Sequence, residues 1–181
     1  MAKAPEDLIR DARRGRQEAF LTLFDDHHQP LFRFAWRLTG SIADAEEIVQ
    51  ECFLAVLRPD CGFDPARTSI RTYLFGAVRN LSLKRLRRRE IGTVPEARDL
   101  RTPESEALRA EAADVVAAAV AALPETQREV LLLAHYEQLP LAEIAEITQL
   151  EITAVKSRLQ RARAALRESL AAYALQTERT L

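Results

Sequence analysis

The chain has 181 residues, with 26 Lys and Arg against 27 Asp and Glu, and is 48% hydrophobic and 29% charged, as expected of one soluble domain or two small ones. Only 5 Gly and 6% aromatic residues, set among much Ala, Leu, Glu and Arg, argue for an all-α fold. Two Cys without a CxxC pair and 3 His exclude a disulfide framework and zinc-ligand spacing, and no apolar run nears the roughly 20 residues that span a bilayer.

No signal peptide precedes the first helical pattern, so a cytoplasmic chain with no membrane insertion is expected. The near-zero net charge hides segregation. Residues 41–57 hold four acids (Asp44, Glu46, Glu47, Glu51) and no cation, whereas residues 69–89 hold seven cations and no acid. Two kinds of partner are implied, one basic and one anionic.

In chain order, Pro5 to Arg14 predicts a short helix ended by Gly15. From Gln17 the apolar residues Phe20, Leu23, Phe24, Leu31, Phe34, Ala35 and Leu38 recur at helical spacing up to Gly40, and Pro30 should kink or split that helix. Adjacent His27 and His28 point to different sides of a helix, cannot form an i, i+4 metal site, and read as surface or packing residues.

Ser41 followed three residues on by Asp44 predicts a capped start for a helix reaching Leu57. Its apolar face is Ala45, Ile48, Val49, Cys52, Phe53 and Val56, and its other face presents Glu46, Glu47, Gln50, Glu51 and Leu54. That second face is either solvated or a dock for a basic surface. A loop with a Gly-Phe-Asp-Pro turn leads to Thr68 or Ser69, either of which can cap a helix reaching about Glu90. Leu74, Ala77, Val78, Leu81 and Leu86 can face a core, leaving Arg71, Tyr73, Arg79, Asn80, Ser82, Lys84, Arg85 and Arg88 outside. Cations that follow a backbone, an aromatic that stacks and an amide that hydrogen-bonds a base edge suit single-stranded DNA.

Residues 92–103 lose periodicity and contain Pro95 and Pro103, which places a domain boundary there. A helix is expected to reopen at Pro103 or Glu104, its apolar residues Val115, Val116, Val120 and Leu123 recurring through an Ala-rich run, and a second Pro-initiated helix begins at Pro124. Leu139 to Arg163 then reads as two helices joined by a turn at Thr148-Gln149-Leu150. In the second helix Ile152, Val155, Leu159, Ala162 and Leu166 fall within about a third of the circumference. Thr153, Lys156, Ser157, Gln160 and Arg161 face away, with Arg158 and Arg163 on the flanks. Such a helix-turn-helix can place hydroxyl, amide and guanidinium groups on base edges in a major groove.

Three stretches in this order resemble the sigma-70 family, specifically the small extracytoplasmic-function (ECF) sigma factors. DAEEIVQECFLAVL (44–57) is similar to their polymerase-gripping segment, FDPARTSIRTYLFGAVRN (63–80) to their minus-10 melting helix, and AEIAEITQLEITAVKSRLQRAR (142–163) to their minus-35 helix-turn-helix. The resemblance implies two helical domains, residues 1–91 and 111–181, joined by a flexible linker over 92–110. It implies core RNA polymerase contacts from Asp44, Glu47, Gln50, Glu51, Phe53 and Leu54. Minus-10 DNA contacts would come from Arg71, Tyr73, Arg79, Asn80, Lys84, Arg85 and Arg88, and minus-35 contacts from Thr153, Lys156, Ser157, Arg158, Gln160, Arg161 and Arg163. Tyr73 stands where the family usually has Trp, and Thr148-Gln149 lacks the Gly often found in the turn. No cofactor and no catalysis by the chain itself are implied, and an anti-sigma partner is. The competing readings are a sigma mimic that titrates an anti-sigma factor and an ordinary helix-turn-helix regulator.

Overall fold

The computed structural model describes residues 5–91 and 107–178, and all regular structure among them is helical. The chain divides into two compact units, Met1–Glu96 and Ala97–Leu181. The expected linker and the helix start at Pro103 or Glu104 lie outside the described residues, apart from the linker's last few positions, which are helical.

In the first unit, α1 spans Pro5–Arg13, α2 Gln17–Thr39, α3 Ile42–Val56 and α4 Ile70–Ile91. Gly15 (φ 80°) follows α1, and Gly40 (φ 73°) closes α2 in the left-handed conformation that glycine adopts without a Cβ penalty. Pro30 sits inside α2 without splitting it. A proline forfeits one backbone hydrogen bond, and here Leu23, Leu31, Phe34, Ala35 and Leu38, all buried, hold both flanks to one core. Opposite them lie Ile48, Val49 and Val56 of α3 and Leu74, Phe75 and Val78 of α4, with Phe34 meeting Phe75 edge-on at 5.5 Å. Each such side chain contributes roughly 1.5–3 kcal/mol on burial. Phe75 belongs to this core though the periodicity of α4 did not single it out, and Ser82, expected outside, is fully buried.

The second unit contains α5 (Ala107–Ala122), α6 (Glu125–Leu131), α7 (Leu141–Thr148) and α8 (Ile152–Glu178); α6 runs on into a π-helical turn, Leu132–Tyr136. Val120, Leu123, Val130, Leu131, Leu132 and Leu133 pack with Ile144 and Ile147 of α7 and Val155, Leu159 and Ala162 of α8. Val116 and Ile152, expected in apolar stripes, are instead 38% and 43% exposed. Each lies on the outer side of its own helix's packed residues.

The turn between α7 and α8 sets the angle of the second helix. The Leu150 N–H donates to the Ala145 carbonyl at 3.0 Å and the Gln149 N–H to that of Glu146 at 3.2 Å, while Gln149 itself is left-handed at φ 56°. This is the pair of bonds that closes a helix on glycine, made here by a residue with a Cβ. Gln149→Gly is therefore expected to stabilise the second unit by about 0.5–1 kcal/mol, the relieved left-handed strain exceeding the backbone entropy lost. Thermal unfolding checks this; a lower Tm would mean that the glutamine side chain holds the turn.

Candidate nucleic-acid interface and docking groove

The start of α3 is built as its sequence implies. Ser41 accepts a hydrogen bond from the Asp44 N–H at 3.2 Å, so the helix begins at a fixed residue and its faces are set. Asp44 then turns inward. It is buried, with Arg85 at 3.5 Å and Arg89 at 2.5 Å from its carboxylate. Phe53 is only 3% exposed and packs edge-on against Phe20 and tilted against Phe24, ring centroids 6.2 and 5.0 Å away. Neither residue presents a surface for docking: Asp44 binds α3 to α4, and Phe53 is core. The remaining candidates converge. Glu47, Gln50, Glu51 and Leu54 line an open cleft of about 330 Å³ with Ala55, Arg58 and Arg85. Leu54 is 57% exposed there, an apolar side chain among two carboxylates and two guanidiniums.

The basic helix α4 starts at Ser69, whose hydroxyl accepts from the Thr72 N–H at 3.0 Å, so Ser69 rather than Thr68 is the cap. Asn80, Lys84 and Arg88 are exposed along it, Arg79 donates to the Asn80 side-chain oxygen at 3.3 Å, and the Arg71 guanidinium lies over the Phe75 ring at 5.9 Å. Arg85, assigned to DNA on sequence, instead pairs with Glu47 at 2.7 Å and reaches the cleft. Tyr73 is half-buried and held to the α3–α4 loop: its hydroxyl donates to the Cys61 carbonyl and its ring meets Phe63 edge-on at 5.3 Å. Burial, and then the neighbouring Cys61, push its phenol up to about 12, so it stays a hydrogen-bond donor throughout the usable pH range. Arg13 of α1 supports the same loop, donating to the Val56 carbonyl at 3.1 Å and to the Cys61 sulfur at 2.6 Å. Nothing in the spacing of residues near the N-terminus signalled that role.

Both thiols are free, Cys52 buried and Cys61 half-buried. Burial pushes the Cys52 thiol up to about 12, which leaves it inert. His28 stacks on Phe24 at 4.4 Å, and burial lowers the pKa of His27, so both act as packing groups.

On α8, Thr153, Lys156, Ser157, Gln160, Arg161 and Arg163 are all exposed, opposite buried Val155, Leu159 and Ala162. Arg161 is steadied by Ser157, its Nη2 donating to the hydroxyl at 3.2 Å, and Arg163 donates to His135 Nε2 at 3.1 Å. Arg158 departs from this set. It is half-buried and pairs at 3.3 Å with Glu129 of α6, a carboxylate only 1% exposed. A charge so buried needs its partner, so Arg158 fastens α8 to the unit instead of facing outward. Glu129, embedded before the run Val130 to Leu133, went unnoticed in the sequence, although an acid among core residues is the signal that could have found it.

Comparison with known proteins reflects the same division. Residues 23–90 match the model of sigma-70 region 2, and residues 113–166 that of sigma-70 region 4. The ECF RNA polymerase sigma factor RpoE of Cereibacter sphaeroides is 32% identical over 171 residues, covering 90% of this chain and 93% of that protein. The chain belongs to the ECF sigma factor family. CnrH, solved in complex with the cytosolic domain of CnrY, shares 26% identity and superposes with a TM-score of 0.71, covering 94% of this sigma factor and 99% of CnrH. RpoE of Bartonella quintana, solved with the anti-sigma factor NepR, is 24% identical and shares the fold, with a TM-score of 0.68 over 88% of this chain and 98% of that one. No helix among the described residues is long and apolar enough to cross a membrane.

Proposed function

We propose that this sigma factor binds core RNA polymerase through the cleft of Glu47, Gln50, Glu51 and Leu54, and directs it to promoters that two separate helices recognise. The observation that carries the reading is that cleft, where an exposed leucine lies with Glu47, Glu51, Arg58 and Arg85, on the same unit as the cation-rich α4. A simple helix-turn-helix regulator has no use for it, and a mimic has no use for the exposed cations of α8. Asn80, Lys84 and Arg88 of α4 take the displaced minus-10 strand by phosphate attraction and amide bonding, beside the ring of Tyr73 and with Arg71 and Arg79 on the same helix. Thr153, Lys156, Ser157, Gln160 and Arg161 of α8 read the minus-35 duplex, with Arg163 on phosphate. Residues 1–91 and 111–181 divide these tasks between them. The chain supplies binding energy and no chemistry, acts in the cytoplasm, and is held in check by an anti-sigma partner.

The test mixes the purified chain with bacterial core polymerase and fragmented genomic DNA and sequences the transcripts. Discrete start sites sharing a two-part upstream motif are expected. Arg161→Ala is expected to lower use of those promoters by about 1–3 kcal/mol of recognition energy at one minus-35 position. A folded chain that binds neither core polymerase nor promoter DNA would leave the mimic as the better reading.

A further inference from the structure

Arg85 stands where two surfaces meet. It projects from the DNA-facing helix α4, yet its guanidinium lines the docking cleft on α3, with Nη2 2.7 Å from Glu47 and Nη1 3.5 Å from Asp44. The two acids differ in what they can release. The Asp44 side chain is 11% exposed and also engaged by Arg89 at 2.5 Å, so it is fixed between the helices. The Glu47 side chain is 62% exposed and lies in the cleft that a partner would fill. A basic group entering the cleft therefore meets a carboxylate already occupied by the chain's own cation.

We infer that Arg85 couples the two binding events: in the unbound chain Glu47 holds it, and a basic partner side chain that takes Glu47 frees Arg85 for a DNA phosphate. The inference rests on the proposed function for the identity of the two partners. Its sign follows from charge. While paired with Glu47, Arg85 adds little to the field felt by a phosphate, and once Glu47 is neutralised from the other side, leaving only Asp44, which Arg89 also engages, more of its charge is available. Linkage makes the effect reciprocal, so DNA that engages Arg85 vacates Glu47 and strengthens docking by the same factor. Because the pair is partly exposed, that factor is modest, about two- to fivefold, and it shrinks as salt rises.

The test is a mutant cycle on the full chain, with fluorescein-labelled oligothymidine at low salt as the single-stranded probe. Removing any acid favours DNA, so Glu47→Gln is compared with Glu46→Gln, an equal charge change at the exposed adjacent residue. Glu47→Gln is expected to raise oligothymidine affinity about two- to fivefold beyond Glu46→Gln, and this excess should vanish when both changes are made together with Arg85→Ala. Equal gains from the two substitutions, or an excess that survives Arg85→Ala, would overturn the inference. A second measurement uses core polymerase: Arg85→Ala should cost more affinity for a minus-10 strand in the polymerase complex than in the free chain. An equal cost in both overturns the coupling while leaving the proposed function standing, whereas a chain that never binds polymerase overturns that function and the coupling with it.

Discussion

Arg158→Ala is expected to lower the stability of the C-terminal unit by about 2–4 kcal/mol, far more than the loss of one DNA contact would suggest. The substitution leaves the Glu129 carboxylate, 1% exposed, without the guanidinium that lies 3.3 Å from it. Removing the guanidinium takes a charge partner from a carboxylate that cannot reach water, and the cost is the share of its desolvation that the pair offset. Glu129→Gln should cost less, because the Arg158 side chain is 25% exposed and its head can swing into solvent. Making both changes together should recover part of the loss, and the size of the recovery measures the coupling. Thermal unfolding of the full chain, with minus-35 duplex binding measured well below the transition, separates the two roles. An unchanged Tm with weakened duplex binding would return Arg158 to the DNA face.

The contrast between Arg158 and Arg161 shows what a single sequence can and cannot convey. Both are arginines in one basic stretch, and helical periodicity places Arg158 at the edge of the apolar stripe, where facing in and facing out differ by a small rotation. What decides is a carboxylate 29 residues away, which no pattern within the helix records. Local signals fared better. The cap at Ser41 and the end of α2 at Gly40 depend on neighbours in sequence, and the structure has both at those residues. Periodicity puts Phe53 on the apolar face of α3, where it packs with Phe20 and Phe24 of α2; its polymerase contact comes only from the resemblance, as does that of Asp44, whose place is set by Arg85 and Arg89 on α4. Gln149 shows the reverse case, a residue unsuited to its turn that adopts the required backbone because the packing of α7 and α8 imposes it.

Glu51→Lys should lower affinity for core polymerase at least tenfold, equivalent to about 1.4 kcal/mol, without unfolding the chain. Glu51 is exposed and lines the cleft with Glu47, Gln50 and Leu54, so the new charge repels a basic docking surface where the old one attracted it. The fold should be indifferent, since an exposed substitution away from caps and core usually changes stability by no more than about 0.5 kcal/mol. Leu54→Ala probes the apolar half of the same surface. A leucine 57% exposed in a cleft with two Glu and two Arg contributes little to the core, so its truncation should weaken docking by about as much and leave the Tm nearly unchanged. The two losses have different salt signatures: the Glu51 effect should fade as ionic strength rises, and the Leu54 effect should persist. Competition against the wild-type chain for core polymerase reads both. If Glu51→Lys assembles as well as wild type while Leu54→Ala does not, docking is apolar and Glu51 takes no part in it; if neither matters, the cleft is not the polymerase surface.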